Sequence, residues 1–92
     1  MVVRVTVQNT QNDAIYAFEL DDEGIVEDIK VLICAEGGID VEDQILMYNG
    51  KILTDNMSKI KAVGITQDAL ILLTTRAALA GAQNLRNQVQ RQ

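Results

Sequence analysis

The 92-residue chain has no histidine, no proline and no tryptophan, and only one cysteine and three aromatic residues. Without histidine it lacks the side chain that most often serves as general base near neutral pH. A single cysteine, Cys34, closes no internal disulfide and is too few for an iron–sulfur cluster. With no proline, glycines and Asn/Asp clusters must punctuate the chain. No stretch approaches the ~20 apolar residues a membrane span requires, and the first residues lack the apolar core of a signal peptide. Basic residues are also few: 8 against 13 acids, for a formal charge of −5. Phosphate neutralisation supplies most non-specific nucleic-acid affinity, so an acidic chain without a basic run is a poor nucleic-acid ligand. These absences argue for a reducing compartment, cytoplasmic or nuclear, and against catalysis, metals, cofactors, membranes and nucleic acid.

What is present is aliphatic. Hydrophobic residues make up 48% of a length that suits one small domain, so Val, Ile and Leu must build the core. Val3, Val5 and Val7 alternate with Arg4 and Thr6, the pattern of a half-buried strand. After the polar turn Gln8–Asp13, Tyr16, Phe18 and Leu20 alternate again, which predicts a hairpin. The period then lengthens. Val26, Ile29 and Ile33 recur at helical spacing, flanked by Ile25 and Leu32, with Glu27 and Asp28 in the favourable first turn and Gly37-Gly38 as the stop. Gln44–Tyr48, the tight turn Asn49-Gly50 and Lys51–Leu53 predict a second hairpin. Thr54–Lys59 reads as a loop, Ile60 and Val63 as core, and Ala69–Thr75 as a last strand, which the pattern allows to pair with the first. From Ala77 the texture turns to Ala, Gln and Asn with sparse Leu and Val, the composition of a linker or frayed helix. Residues 1–76 are thus expected to form the domain and 77–92 a tail leading toward downstream domains.

Charge is unevenly placed. Eleven of the thirteen acids fall between Asp13 and Asp43, whereas beyond Asp43 six cations face only Asp55 and Asp68. The neighbours Asp21–Glu23 and Glu42-Asp43 lie on expected turns, where carboxylates stay solvated and ordinary; a catalytic pair needs environments that separate its pKa values. Asp-Thr/Ser-Gly, the retroviral-type protease signature, is absent, as is an EF-hand loop. Gly37-Gly38 follows a helix instead of opening one, so it does not cradle phosphate. Cys34 lies in or beside the helical stripe and reads as a small hydrophobe.

Val26–Leu53, with its E-G-G-I, D-Q and N-G-K-x-L elements in order, resembles ubiquitin's helix, acidic turn and third strand, and the likeness extends from Met1 to about Arg76. The resemblance implies an α+β, β-grasp (ubiquitin-like) fold, a mixed sheet of four to five strands on one main helix. L-T-D-N-x-x-x-I-x-x-x-G-I at Leu53–Ile65, with the Y-N before Gly50, is similar to the N-terminal ubiquitin-like domain of the DNA-damage-inducible shuttle proteins. That family joins such a domain to a retroviral-type aspartic protease and, in many members, a ubiquitin-binding domain. Here Thr74-Thr75-Arg76-Ala77-Ala78 replaces the di-glycine that conjugation needs.

Two strands are apolar on consecutive residues, so both sheet faces receive apolar side chains. With Leu46, Tyr48, Leu70 and Leu72 assigned to the helix side, Ile45, Met47, Ile71 and Leu73 face outward as a patch of the kind that marks partner sites. The resemblance implies the same face, with Met47 and Leu73 at its two sheet hydrophobic positions and Thr10 or Gln11 at its loop corner. Gly50, Lys51 and Arg76 complete the candidate site, Lys51 and Arg76 (with Arg4) as a basic rim. The expected partners are ubiquitin, proteasome subunits or ubiquitin-binding helices, and the module is expected to act as a monomeric, non-conjugated adaptor. A regulatory or oligomerisation domain of an aspartic protease is the alternative.

Overall fold

The computed structural model describes residues 1–80. Its elements are β1 (Val2–Asn9), β2 (Ile15–Asp21), α1 (Val26–Gly37), a 3-10 turn (Val41–Asp43), β3 (Gln44–Tyr48), β4 (Lys51–Ile52) and β5 (Ala69–Thr75). The strands form one sheet in the order β2-β1-β5-β3-β4. β1 and β5 run parallel at its centre and the other pairs are antiparallel. This is the β-grasp arrangement that the sequence pattern and the resemblance predict. The 3-10 turn is the one named element without a counterpart in the sequence reading.

Local chemistry accounts for the boundaries. Asp28 opens α1 by accepting the Ile25 N–H on Oδ2 at 2.9 Å. Ile25 has no side-chain acceptor to return the bond, so only the carboxylate half of a capping box forms. The helix ends at Gly38, whose φ of 72° is left-handed and whose N–H reaches the Cys34 carbonyl at 2.9 Å. Asn49 and Gly50 both take positive φ, 53° and 78°, the geometry of a type I′ hairpin turn. That turn places Tyr48 opposite Lys51 and Met47 opposite Ile52.

α1 covers one face of the sheet. Val26, Ile29 and Ile33 are fully buried against Val5, Val7, Leu46, Ile71 and Leu73, with Ile60 and Ile65 closing the base. Val63 packs at the edge of this core. Lys30 is buried as well: its Nζ donates to Asn56 Oδ1 at 2.7 Å, tying the helix to the loop after β4. Gln44 makes a second tie by donating to the carbonyls of Lys30, within the helix, and Ile39, just past its end.

Candidate functional site

Among the described residues, no element lies over the centre of the sheet face away from α1, where Leu70 and Leu72 are exposed. The composition of this face follows from register. In the parallel pair Val5 lies opposite Ala69 and Val7 opposite Ile71, and in the antiparallel pair Leu46 lies opposite Leu73. Directly paired residues point to the same side of a sheet. Val5, Val7 and Leu46 are core, so Ala69, Ile71 and Leu73 are core too, the last two fully buried. Leu70 and Leu72 point outward, 51% and 36% exposed.

This corrects the sequence-based assignment of β5. Ile71 and Leu73 are not surface residues; Leu70 and Leu72 take their places. The assignment for β3 agrees with the structure: Leu46 is buried, Tyr48 packs on the core, and Ile45 and Met47 are half-buried on the outer side. β4 adds Ile52, 51% exposed and directly opposite Met47. A continuous row, Gln8–Leu72–Met47–Ile52, therefore crosses four adjacent strands. Ile45 sits beside it on β3, opposite Thr74. Three of the row's four members are large apolar side chains, and the whole is contiguous instead of scattered.

Thr10 is brought to this face. Its N–H and its Oγ1 both donate to the Leu73 carbonyl, at 2.9 and 3.2 Å, and it borders a hollow of about 70 Å³ with Ile45, Met47 and Leu72. A polar threonine thus forms the loop corner. Gly50 serves the turn through its left-handed backbone and contributes no side chain. Lys51 is exposed next to Ile52. Arg76 is anchored by Nε donating to the Glu42 carbonyl at 2.6 Å. Among the described residues neither cation has a carboxylate within 4.0 Å, and residues 81–92 contain no Asp or Glu. Arg4 is different: it meets Glu19 across β1 and β2 at 3.5 Å, so its charge is partly compensated.

The acidic loop between β2 and α1 is less ordinary than its turn position suggests. Glu23 accepts from Lys61 at 2.8 Å and Lys59 at 3.2 Å, and these two ammonium groups hold its carboxyl below the usual range. Lys61 is raised in turn, chiefly by Glu23. Asp21 is lowered because its carboxylate accepts the Glu23 backbone N–H. Two of the cations expected on a basic side are therefore spent on this exposed network. Burial lowers the Lys30 ammonium, with the nearby Arg76 charge acting in the same direction.

Sequence reasoning missed Leu70, Leu72 and Ile52. On β5 nearly every residue is apolar, so alternation carries no information, and only pairing with β1 decides which set faces in. Ile52 was legible: a two-residue turn at Asn49-Gly50 forces it opposite Met47. Cys34 is half-buried at the edge of the helix stripe, as its spacing suggested. Among the described residues no three Cys, Asp or Glu side chains converge as a metal site would need, and no helix is long and apolar enough to cross a membrane.

A family model described as the ubiquitin family matches residues 5–78. The chain is 30% identical over 80 residues to Protein DNA-DAMAGE INDUCIBLE 1 of Arabidopsis thaliana, and the match spans 87% of this chain but about a fifth (19%) of that relative. Among solved structures, the ubiquitin-like domain of yeast Ddi1 superposes with a TM-score of 0.72 at 26% identity, covering 82% of this chain and 90% of that one. The same domain of Plasmodium falciparum Dsk2 gives 0.75 at 23% identity, covering 82% and 99%, a likeness of fold. The chain belongs to the ubiquitin family: it is a ubiquitin-like domain, a non-catalytic fold, with homology to DNA-damage-inducible 1.

Proposed function

We propose that this domain is a non-conjugated adaptor that docks a longer ubiquitin–proteasome shuttle onto its partners through the outward sheet face. The observation that carries the reading is the apolar row Leu72–Met47–Ile52, with Ile45 beside it, on the face opposite α1. Such a face suits ubiquitin, a proteasome subunit or an amphipathic helix, any of which buries apolar anchors on it while Lys51 and Arg76 set register and on-rate. The relative of which this chain spans about a fifth leaves room for further modules. By resemblance to the shuttle family, those include a retroviral-type aspartic protease in the cytoplasm or nucleus.

Met47→Asp tests the reading. Met47 is half-buried on the outer face, so the variant keeps its fold and loses at least tenfold in affinity for ubiquitin or proteasomal receptor fragments, measured by calorimetry. Unchanged affinity for every partner bound by the parent domain contradicts it. If self-association in sedimentation disappears in the variant while those partners never bind the parent, the face joins copies of the chain instead.

A further inference from the structure

Lys30 and Arg76 line one hollow, and among the described residues neither meets a carboxylate within 4.0 Å. The hollow, about 370 Å³, opens between α1, the 3-10 turn, the loop after β4 and the residue that follows β5. Lys30 is only 7% exposed there, and its ammonium donates to the neutral Asn56 Oδ1, which takes one of its three N–H groups. Asn56 is itself fixed, because its carbonyl accepts the Glu27 N–H at 2.9 Å in the first turn of α1. With its side-chain oxygen turned to Lys30, its amide N–H groups remain to donate. Arg76 gives its Nε to the Glu42 carbonyl, which holds the guanidinium in place and leaves the two Nη groups over. Glu42 and Asp43 also border the hollow, but both are exposed. The charges that Lys30 feels are those of Arg76 and Glu27 instead. A buried ammonium with a neutral partner, facing a second cation, lacks the counter-charge that burial calls for.

We infer that this hollow is a carboxylate-binding site, in which one carboxylate bridges Lys30 and Arg76 while the Thr54 hydroxyl and the Asn56 amide serve as neutral donors. Its source is an acidic side chain of a partner or a small free carboxylic acid. Charge selects the ligand. Lys30 and Arg76 are matched by Glu42 and Asp43, so the formal charge around the hollow sums to zero and a phosphate dianion gains little. A monoanion that passes the two exposed acids reaches both cations, and its hydrogen bonds to ammonium and guanidinium are charge-assisted. The hollow is separate from the outward sheet row, since Met47, Ile52 and Leu72 do not line it. The inference therefore goes beyond the docking role of that row and does not depend on it.

The experiment titrates the 92-residue chain with sodium acetate, with a blocked tripeptide carrying a central glutamate, with its glutamine counterpart and with sodium phosphate, each against sodium chloride at equal ionic strength. Chemical shifts of the Lys30 and Arg76 side chains and of the Thr54 and Asn56 amides are followed in the parent, Lys30→Met, Arg76→Gln and Met47→Asp. The expected result is saturable shifts at these four residues with a carboxylate probe, none with the glutamine peptide or chloride, and weaker binding of phosphate. Binding falls at least about fivefold in Arg76→Gln, is lost in Lys30→Met and is unchanged in Met47→Asp. Saturation by the glutamate peptide assigns the site to a partner's side chain, and saturation by acetate alone assigns it to a free acid. Shifts that follow ionic strength alone, or that persist in Arg76→Gln, overturn the site. Because Arg76 is exposed, that variant keeps the test decisive even if Lys30→Met does not fold. Tighter binding of phosphate than of either carboxylate overturns the carboxylate assignment.

Discussion

Leu72 and Leu73 are neighbours in sequence on opposite sides of the sheet, and truncating each to alanine reads out which side is core. Leu73 is fully buried, opposite Leu46 and beneath α1. Removing its isobutyl group loses the transfer free energy and leaves a cavity among aliphatic side chains, together about 3–4 kcal/mol. Leu72 is 36% exposed and rests on Met47 and Gln8. It gives up only the part of its surface already out of water, about 0.5–1 kcal/mol. Urea denaturation followed by circular dichroism separates the two. With a slope near ~1 kcal/mol per molar for a domain of this size, the midpoint falls by roughly 3 M for Leu73→Ala and by less than about 1 M for Leu72→Ala. Against a total stability of about 5–10 kcal/mol, the Leu73 variant stays only marginally folded. Ile71→Ala behaves like Leu73→Ala, and Leu70→Ala like Leu72→Ala. If the Leu72 variant is the unstable one, the β1–β5 register is off by one residue and the outward face described here is the core.

Three further substitutions probe the supports around the site. Gly38→Ala forces a side chain into a φ of 72° and is expected to cost about 1 kcal/mol, lowering the melting temperature by roughly 4–8 °C in calorimetry. Lys30→Met removes a buried charge whose described partner is the neutral Asn56, so stability in urea is expected to hold or rise; a loss above ~2 kcal/mol refutes the view of Lys30 as a burial burden. Because the folded Lys30 pKa lies below its ordinary 10.5, the folded state binds fewer protons there, and this residue's contribution makes stability rise between the folded value and 10.5. Lys30→Met abolishes that component of the pH profile. Glu23 has the opposite window: its lowered pKa stabilises above the ordinary 4.5 and that contribution fades as pH falls through the folded value. Glu23→Gln should flatten the acid limb slightly, and less so at high salt, because the network is exposed.

Much of this architecture is legible in the sequence because local and global signals agree. Val3, Val5 and Val7 alternate cleanly, the Val26–Ile29–Ile33 stripe has helical period, and Asn49-Gly50 dictates its hairpin. β5 resists the same reading for a physical reason. A run of Ala, Leu, Ile, Leu and Leu has no polar residue to mark a face, and a one-residue shift exchanges every side chain between core and solvent. The correct set follows only from the non-local pairing with Val5 and Val7. Lys30 is opaque for a related reason: a lysine at a core-facing helical position is buried only because Asn56, 26 residues away, meets it. Ile45-Leu46-Met47-Tyr48 is an equally unmarked run, and the side of Met47 follows there from the resemblance, which places it on the outward patch.

The docking-face assignment is tested most directly by amide and methyl chemical-shift mapping of the 92-residue chain titrated with ubiquitin and with proteasomal ubiquitin-receptor fragments. The prediction is saturable shifts centred on Met47, Ile52 and Leu72, with α1 unaffected. Shifts confined to the acidic surface of α1, around Glu27 and Val31, contradict it.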